Sequence, residues 1–276
     1  VRECASAAAG EVWVDCTLGF GGHSAAFLEA GAQVIGLDRD AAARAYASDR
    51  LIPHADRLTV VATDFRRLPA VLAELGVEAV DGVLADLGVS SWQLDQAERG
   101  FSFKAPGPVD MRMNPSAGEP ALALIQRSSV GELADLIRRY GEERYAGPIA
   151  RGVRAWVEGP GPHDTRTLAQ AVRDALPRRE AAKRKIHPAT QTFQALRIAI
   201  NDELGALEAL LAALPDVLAP GGRALIISFH SLEDRLVKRA FNRWCGKAGS
   251  VPAPPRGLPL PPAPPPAFEA ITRKPR

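Results

Sequence analysis

The chain has 276 residues, 46% of them hydrophobic and 24% charged, with a net charge of +2. That is enough apolar material for a full α/β core, one large domain with a smaller one, while no apolar run is long enough to span a membrane. Residues 1–10 lack the apolar core of a signal peptide, and Cys4, Cys16 and Cys245 are too scattered for a disulfide framework or a zinc site, so the chain reads as cytoplasmic, with reduced structural cysteines and no metal. The net charge conceals an asymmetry: residues 166–197 carry a local +6 and residues 235–276 a local +8, leaving the remainder near −12. Such a distribution suits a polyanionic partner that meets particular faces.

The first apolar run, Val12-Trp13-Val14, leads into Asp15-Cys16-Thr17-Leu18-Gly19-Phe20-Gly21-Gly22-His23, and residues 24–29 carry a helical pattern. Glycines at the end of a strand free the backbone and let a ligand approach the main chain, which is how a nucleotide-like cofactor is held. A dinucleotide fingerprint needs glycine at position 24, where Ser24 stands, so the match to a hydride-transfer enzyme is partial. The second apolar run, Val34 to Leu37, ends at Asp38, a carboxylate placed to accept hydrogen bonds from a ribose diol. That feature suits NAD and S-adenosylmethionine equally, beside the plain alternative of a tight turn and a solvated Asp.

Residues 41–51 and 68–75 have helical periodicity, and the runs 58–62 and 80–85 read as further buried strands. The first 90 residues therefore predict βαβαβαβ and a mostly parallel, doubly wound sheet. The next strand-like run, 223–229, follows Asp86 by well over 100 residues, far more than a crossover needs. Amphipathic segments at 130–139, 146–157 and 167–176 fill the gap, the last with Leu168, Val172 and Leu176 on one stripe and Asp164 or Thr165 as its cap. They predict an inserted all-α domain between the fourth and fifth strands. A single stripe through 190–214 (Phe193, Leu196, Ile200, Leu204, Leu207, Leu211) predicts one long helix returning to the sheet, and Leu218 to Gly222 a turn before the fifth strand. The proline-rich stretch 251–266 predicts a linker or loop. The predicted domains are 1–103 with 191–276, which carry the sheet, and the inserted helical 104–190.

Eight segments then fall in order along the chain: Asp15 to His23, Asp81-Gly-Val-Leu-Ala-Asp-Leu-Gly-Val-Ser-Ser91, Gln93-Leu-Asp95, Arg99-Gly-Phe-Ser-Phe103, Val109-Asp-Met-Arg-Met113, Tyr140-Gly-Glu-Glu-Arg144, His187-Pro-Ala-Thr-Gln-Thr-Phe-Gln194 and Ser228-Phe-His-Ser-Leu-Glu-Asp234. Jointly they resemble the bacterial 16S rRNA (cytosine-N4)-methyltransferases, which act on a cytidine in the decoding centre. The resemblance implies a Rossmann-like class I methyltransferase that uses S-adenosylmethionine, with small-subunit RNA or the 30S subunit as partner and homodimerisation left open. The family's usual segment before the first strand and its basic final strand have no counterpart here, so the chain is expected to be a fragment with one sheet edge unpaired. Asn114 stands where the family has Asp.

Carried over by position, the resemblance places the cofactor against Gly21, Gly22 and His23, its ribose on Asp38, its adenine beside Phe65, and its amino acid part near Asp86 and Gln93. The N4 nitrogen of cytosine is a poor nucleophile because its lone pair is delocalised into the ring, so a group accepting an N4 hydrogen is needed to align it and take its proton. Asp86, at the carboxyl end of the fourth strand, is the first catalytic candidate, although Leu87-Gly88-Val89 follows it where many amino-methyltransferases carry Pro-Pro-aromatic. Asp110, with Arg112 nearby, is the second; the pair reads equally well as a structural ion pair. Arg178, Arg179, Lys183, Arg184 and Lys185, with His187, are the expected RNA phosphate contacts. His187 and His230 read either as base or phosphate contacts or as structural histidines, and Phe101 and Phe103 either as a platform for the target base or as core. A class I methyltransferase of a DNA base or small amine, a NAD-dependent oxidoreductase and a non-catalytic RNA-binding protein are the competing readings.

Overall fold

The apolar runs of the first 90 residues fold as the strands they predict. The computed structural model describes residues 2–247 and 267–272, so the proline-rich stretch 251–266 lies outside the described residues. The chain runs α1 (Arg2–Ala5), β1 (Val12–Asp15), α2 (Gly22–Glu29), β2 (Gln33–Asp38), α3 (Ala41–Arg50), β3 (Leu58–Ala62), α4 (Leu68–Glu74) and β4 (Val80–Asp86). A helical stretch follows: α5 (Ser91–Asp95), α6 (Ala121–Arg127), α7 (Val130–Gly141), α8 (Ala146–Glu158), α9 (Thr165–Asp174), α10 (Arg178–Lys183) and α11 (Thr190–Asn201). Then come α12 (Glu203–Val217), β5 (Leu218–Ile227) and α13 (Ser231–Trp244).

The strands form one sheet in the order β3-β2-β1-β4-β5, each neighbouring pair parallel. The chain moves outward from β1 through β2 to β3, then returns to β4 and β5 on the other side. The order therefore reverses between β1 and β4, and the carboxyl ends of those strands flank the crevice where open α/β sheets bind ligands. Both faces of the sheet are covered, which is why its strands read as continuous apolar runs. Val14, Leu37, Val83 and Ala85 face Leu68, Val71 and Leu72 of α4 and Leu207, Leu210, Leu211 and Leu214 of α12. Trp13, Val34 and Leu84 face Phe27 and Leu28 of α2. Trp13 is fully buried opposite Gly82 of β4, and a methyl group at that position would overlap the indole ring.

Two compact units result: Val1–Gly88 with Leu204–Arg276, and Val89–Glu203. The sequence reading divides the chain at 103/104 and 190/191 instead. Residues 89–103 fall in the helical unit because Phe101 is buried in its core, with Val89 and Phe103 against it, and α11 does so because it lies on α7 with Phe193 and Leu196 buried. That core is built from Leu133 and Ile137 of α7, Ile149 and Val153 of α8, and Leu168 and Val172 of α9. Each such side chain contributes about 1.5–3 kcal/mol of burial. Capping boxes start two of these helices, Ser129 with Glu132 for α7 and Asp164 with Thr167 for α9, so Asp164 is the cap of the two predicted candidates.

The long helix predicted over 190–214 is two helices. Asp202 takes a left-handed conformation (φ 47°, ψ 46°) that ends α11. Asn201 beside it donates through its amide to Met111 O (2.7 Å) and accepts from Met113 N–H (2.8 Å). The one stripe thus serves two cores: Phe193 and Leu196 the helical one, Leu207 and Leu211 the sheet. The fifth strand also starts earlier than predicted. Val80 faces Leu218 and Gly82 faces Arg223, so the expected turn at Pro220-Gly221-Gly222 is a bulge within β5, with Gly221 at φ 82°.

Candidate cofactor site and active site

The glycine-rich segment is stitched to two strands. Cys16 N–H donates to Leu84 O of β4 (2.8 Å), and Leu18 N–H donates to Leu37 O of β2 (2.9 Å). Gly21 then caps α2 in the left-handed region (φ 72°), and a Cβ there would lie 2.8 Å from Leu51 Cδ1. A Cβ on Gly22 would meet nothing within 4 Å, so the first turn of α2 is open on that side. Asp15, fully buried, accepts from Thr17 N–H (3.2 Å) and from Ser24 Oγ–H (2.7 Å). Burial pushes the Asp15 carboxyl above its usual range, and those two hydrogen bonds oppose the shift. Ser24, the residue that breaks the dinucleotide fingerprint, thus locks the turn onto the strand end. Burial raises the neighbouring Cys16 thiol well above the ordinary cysteine value, which makes it inert.

Two carboxylates stand at the ends of β2 and β4. Asp38 accepts from Gly19 N–H through Oδ2 and from Asp40 N–H through Oδ1, each at 2.8 Å. These bonds fix its orientation and leave a lone pair on each oxygen for a further donor. Burial raises its carboxyl, with the two backbone donors opposing. Asp86 is fixed through its own N–H, which donates to Thr17 Oγ1 (2.7 Å), and His23 Nε2, on the first turn of α2, lies 3.3 Å from Asp86 Oδ2. The bond to Asp86 raises the His23 pKa against the opposing effect of burial, and the charge of Asp15 adds to the rise. Asp86 Oδ1 is buried without a hydrogen-bond partner among the described residues. Phe65 opens a 3₁₀ turn after β3, half-buried against the sheet core, where Asp64 caps the turn through Arg66 N–H (2.9 Å) and receives Arg39 Nη1 (3.1 Å).

The structure therefore brings Gly21, Gly22, His23, Asp38 and Asp86 together at the carboxyl ends of β1, β2 and β4, with Phe65 after the adjoining β3. Gln93 lies in the helical unit, where it closes a capping box with Ser90 at the start of α5.

In the helical unit Asp110 accepts from Arg112 Nε (2.8 Å), Nη2 (2.8 Å) and N–H (3.0 Å). Burial alone would raise the Asp110 carboxyl; the Arg112 bonds outweigh it and hold the group below the usual range. The basic segment 178–187 divides by environment. Arg178, Arg179, Lys183, Lys185 and His187 are exposed, while Arg184 grips Glu143 through Nη1 (2.6 Å) and Nη2 (2.9 Å) and reaches Gln191 (3.0 Å). Glu143 is 1% exposed and Arg184 18%. His187 stacks on Phe103 (4.5 Å between centroids), which meets Phe193 edge-on (4.9 Å), whereas Phe101 is buried. His230 caps α13, its Nδ1 accepting from Glu233 N–H.

Residues 3–276 match the MraW methylase family. The chain belongs to that family. It is 54% identical over 268 residues to the ribosomal RNA small subunit methyltransferase H of Anaeromyxobacter sp. strain K, covering 96% of this chain and 84% of that protein. The protein of the same name from Halorhodospira halophila is 50% identical over 256 residues, 91% of this chain and 76% of that one. The parallel sheet, its order and the family together give a Rossmann-like class I methyltransferase with S-adenosylmethionine as methyl donor, which closes the choice that the glycine turn and Asp38 leave open.

The residues present fit that donor. Asp38 offers two oriented acceptors to a ribose diol, Gly22 leaves the start of α2 uncovered, and the unpartnered Asp86 Oδ1 is an acceptor awaiting a cation or an N–H group. An unpaired buried carboxylate oxygen costs about 1–3 kcal/mol, so a ligand that satisfies it gains correspondingly. Thr17, Ser24 and Asp64 support this frame and escape the sequence reading. For Thr17 and Asp64 the signal is a hydroxyl or carboxylate two residues past a strand end, and for Ser24 a hydroxyl in the first turn of a helix, patterns equally common in turns that bind nothing.

Proposed function

We propose that this methylase transfers a methyl group from S-adenosylmethionine to the exocyclic N4 amine of a cytidine in the 16S RNA of the small ribosomal subunit. The names of its relatives and the ordered motifs support the RNA; the observation that carries the chemistry is the unpartnered Asp86 Oδ1 at the carboxyl edge of the sheet. Bound S-adenosylmethionine supplies an electrophilic methyl group on a sulfonium sulfur. Asp86 accepts a hydrogen from N4, which localises the nitrogen lone pair, aims it, and gives the proton a place to go once the N–C bond has formed. His23 on Oδ2 and Thr17 on the backbone N–H hold Asp86 in place, so little reorganisation is left for the reaction itself. Asp110, kept ionised by Arg112, is the second candidate for that proton. Gly21, Gly22, His23, Asp38 and Phe65 cradle the cofactor, with Gln93 serving its amino acid end.

Arg178, Arg179, Lys183, Lys185 and His187 contact RNA phosphates, and Arg184 orients their segment from its grip on Glu143. Among the described residues no helix is long and apolar enough to cross a membrane; the substrate places the enzyme in the cytoplasm. The test is transfer from labelled cofactor to small subunits lacking the modification, followed by nucleoside analysis. N4-methylcytidine in the 16S RNA is the expected product. Label on another nucleoside, or transfer only to DNA or a small amine, refutes the assignment.

A further inference from the structure

The segment Ser228-Phe-His-Ser-Leu-Glu-Asp234 has so far received no part in the reaction, and the structure gives it an unusual exposure. Phe229 is 70% exposed, two residues past the end of β5. A single exposed aromatic ring is common on a protein surface, so the meaning of this one lies in where it stands.

Its backbone is nevertheless fixed. Glu233, 2% exposed, accepts from Phe229 N–H (2.9 Å) and His230 N–H (3.4 Å), while Glu233 N–H donates back to His230 Nδ1 (3.4 Å). This reciprocal cap pins the exit of the strand to the first turn of α13, so the ring projects from a rigid corner. The corner lies beside the reacting carboxylate: Ile227 pairs with Asp86 across β4 and β5, and Leu87 N–H donates to Ile227 O (3.0 Å). Phe229 is thus two residues beyond the partner of Asp86, where the chain leaves the edge at which open α/β sheets bind ligands. The aromatic candidates that the sequence offers for this task are more enclosed: Phe101 is buried, and Phe103 is engaged with His187 and Phe193.

We propose that Phe229 is the stacking platform for the target cytosine, a positioning residue that holds the flipped base with N4 turned towards Asp86. The inference rests on the RNA-cytidine reading above. A base drawn out of its stack loses π contacts, and an aromatic face on a rigid frame restores them with little ordering cost. The neutral ring suits a neutral aminopyrimidine, whereas phosphate contact falls to the basic segment 178–187. An exposed ring that touches only the base makes no difference to cofactor binding or to folding.

The test compares wild type with Phe229→Ala and Phe229→Tyr in methylation of unmodified small subunits at saturating cofactor, together with calorimetric S-adenosylmethionine binding and thermal unfolding. F229A is expected to lose roughly 5- to 150-fold in kcat/KM for the subunit, the range of one base stack, with cofactor affinity and melting temperature unchanged, and F229Y to recover most of the loss. Activity of F229A within twofold of an active wild type overturns the inference alone. So does an equal loss in F229Y, or a loss accompanied by weaker cofactor binding or a lower melting temperature, since those mark a cofactor contact or a packing residue. A wild type that transfers nothing to the subunit overturns the RNA reading, and this inference with it.

Discussion

Replacing Glu143 by Met tests whether the basic segment is held by a buried ion pair or merely solvated. Glu143 is 1% exposed and binds the Arg184 guanidinium through both oxygens, at 2.6 and 2.9 Å, while Oε1 also accepts from Tyr145 N–H at 2.8 Å. Removing one partner of a buried pair costs about 3–5 kcal/mol, because the other charge is stranded. Arg184 retains some water and its bond to Gln191, so E143M should cost about 3 kcal/mol, the lower end of that range. The assay is urea unfolding followed by tryptophan fluorescence on E143M, R184M and the double variant. Because neither charge is stranded in the double variant, it should be clearly more stable than the sum of the single losses predicts. Single losses under about 0.5 kcal/mol, or losses that simply add, would refute the ion-pair account. R184M that weakens RNA binding at full stability would make Arg184 a phosphate contact rather than a clamp.

Three further outcomes follow from the geometry. Gly22→Ala should fold at least as well as wild type, since its methyl meets nothing within 4 Å and alanine favours a helix, yet bind S-adenosylmethionine about tenfold more weakly by filling the uncovered side of α2; unchanged affinity by calorimetry would show that the cofactor does not approach there. The raised His23 pKa means that its pairing with Asp86 stabilises the fold fully below the ordinary histidine value and fades as pH rises through the raised one. Wild type should therefore exceed H23Q in stability by more at pH 6 than at pH 9, by about 0.2–1 kcal/mol for side chains that are each a third exposed, and a difference independent of pH would contradict the pairing. In RNA-binding titrations R178A, R179A and K185A should each lower the slope of log affinity against log salt by about 1 without changing cofactor binding, and an unaltered slope would remove that residue from the interface.

The sheet was legible because parallel strands covered on both faces must be apolar throughout, and the glycine turn because its residues answer to backbone geometry rather than to distant partners. The helix break at Asp202 was not. Six hydrophobic residues keep one stripe through 190–214, and only Asn201, turned onto Met111 and Met113 some 90 positions earlier in the chain, shows that the helix must stop. Periodicity records which residues are buried and not in which core, so a stripe shared by two units reads as one element. Asp38 and Asp86 stood out as acids at strand ends, whereas the work of Thr17 and Ser24 depends on bonds that form only once the turn closes. The cationic run 178–185 showed its charge; that Arg184 faces inward could not be read without the carboxylate of Glu143, 41 residues away. Phe229 looked like the end of a strand, since nothing in an apolar run reveals the residue at which burial stops.

The bulged strand β5 has a consequence for how the molecule is made. β4 ends at Asp86 and its neighbour β5 begins at Leu218, so about 130 residues must emerge between them. At about 5–20 residues per second, vectorial synthesis leaves one flank of β4 without its permanent neighbour for roughly 7–26 s. During that interval the nascent chain presents an open ladder of amides and carbonyls beside Asp86, the kind of edge that recruits stray strands. The helical unit is fully translated within the same window, with a core drawn entirely from residues 89–200. It can settle first, leaving the half-finished sheet as the species that a chaperone would have reason to shield until residues 218–227 arrive.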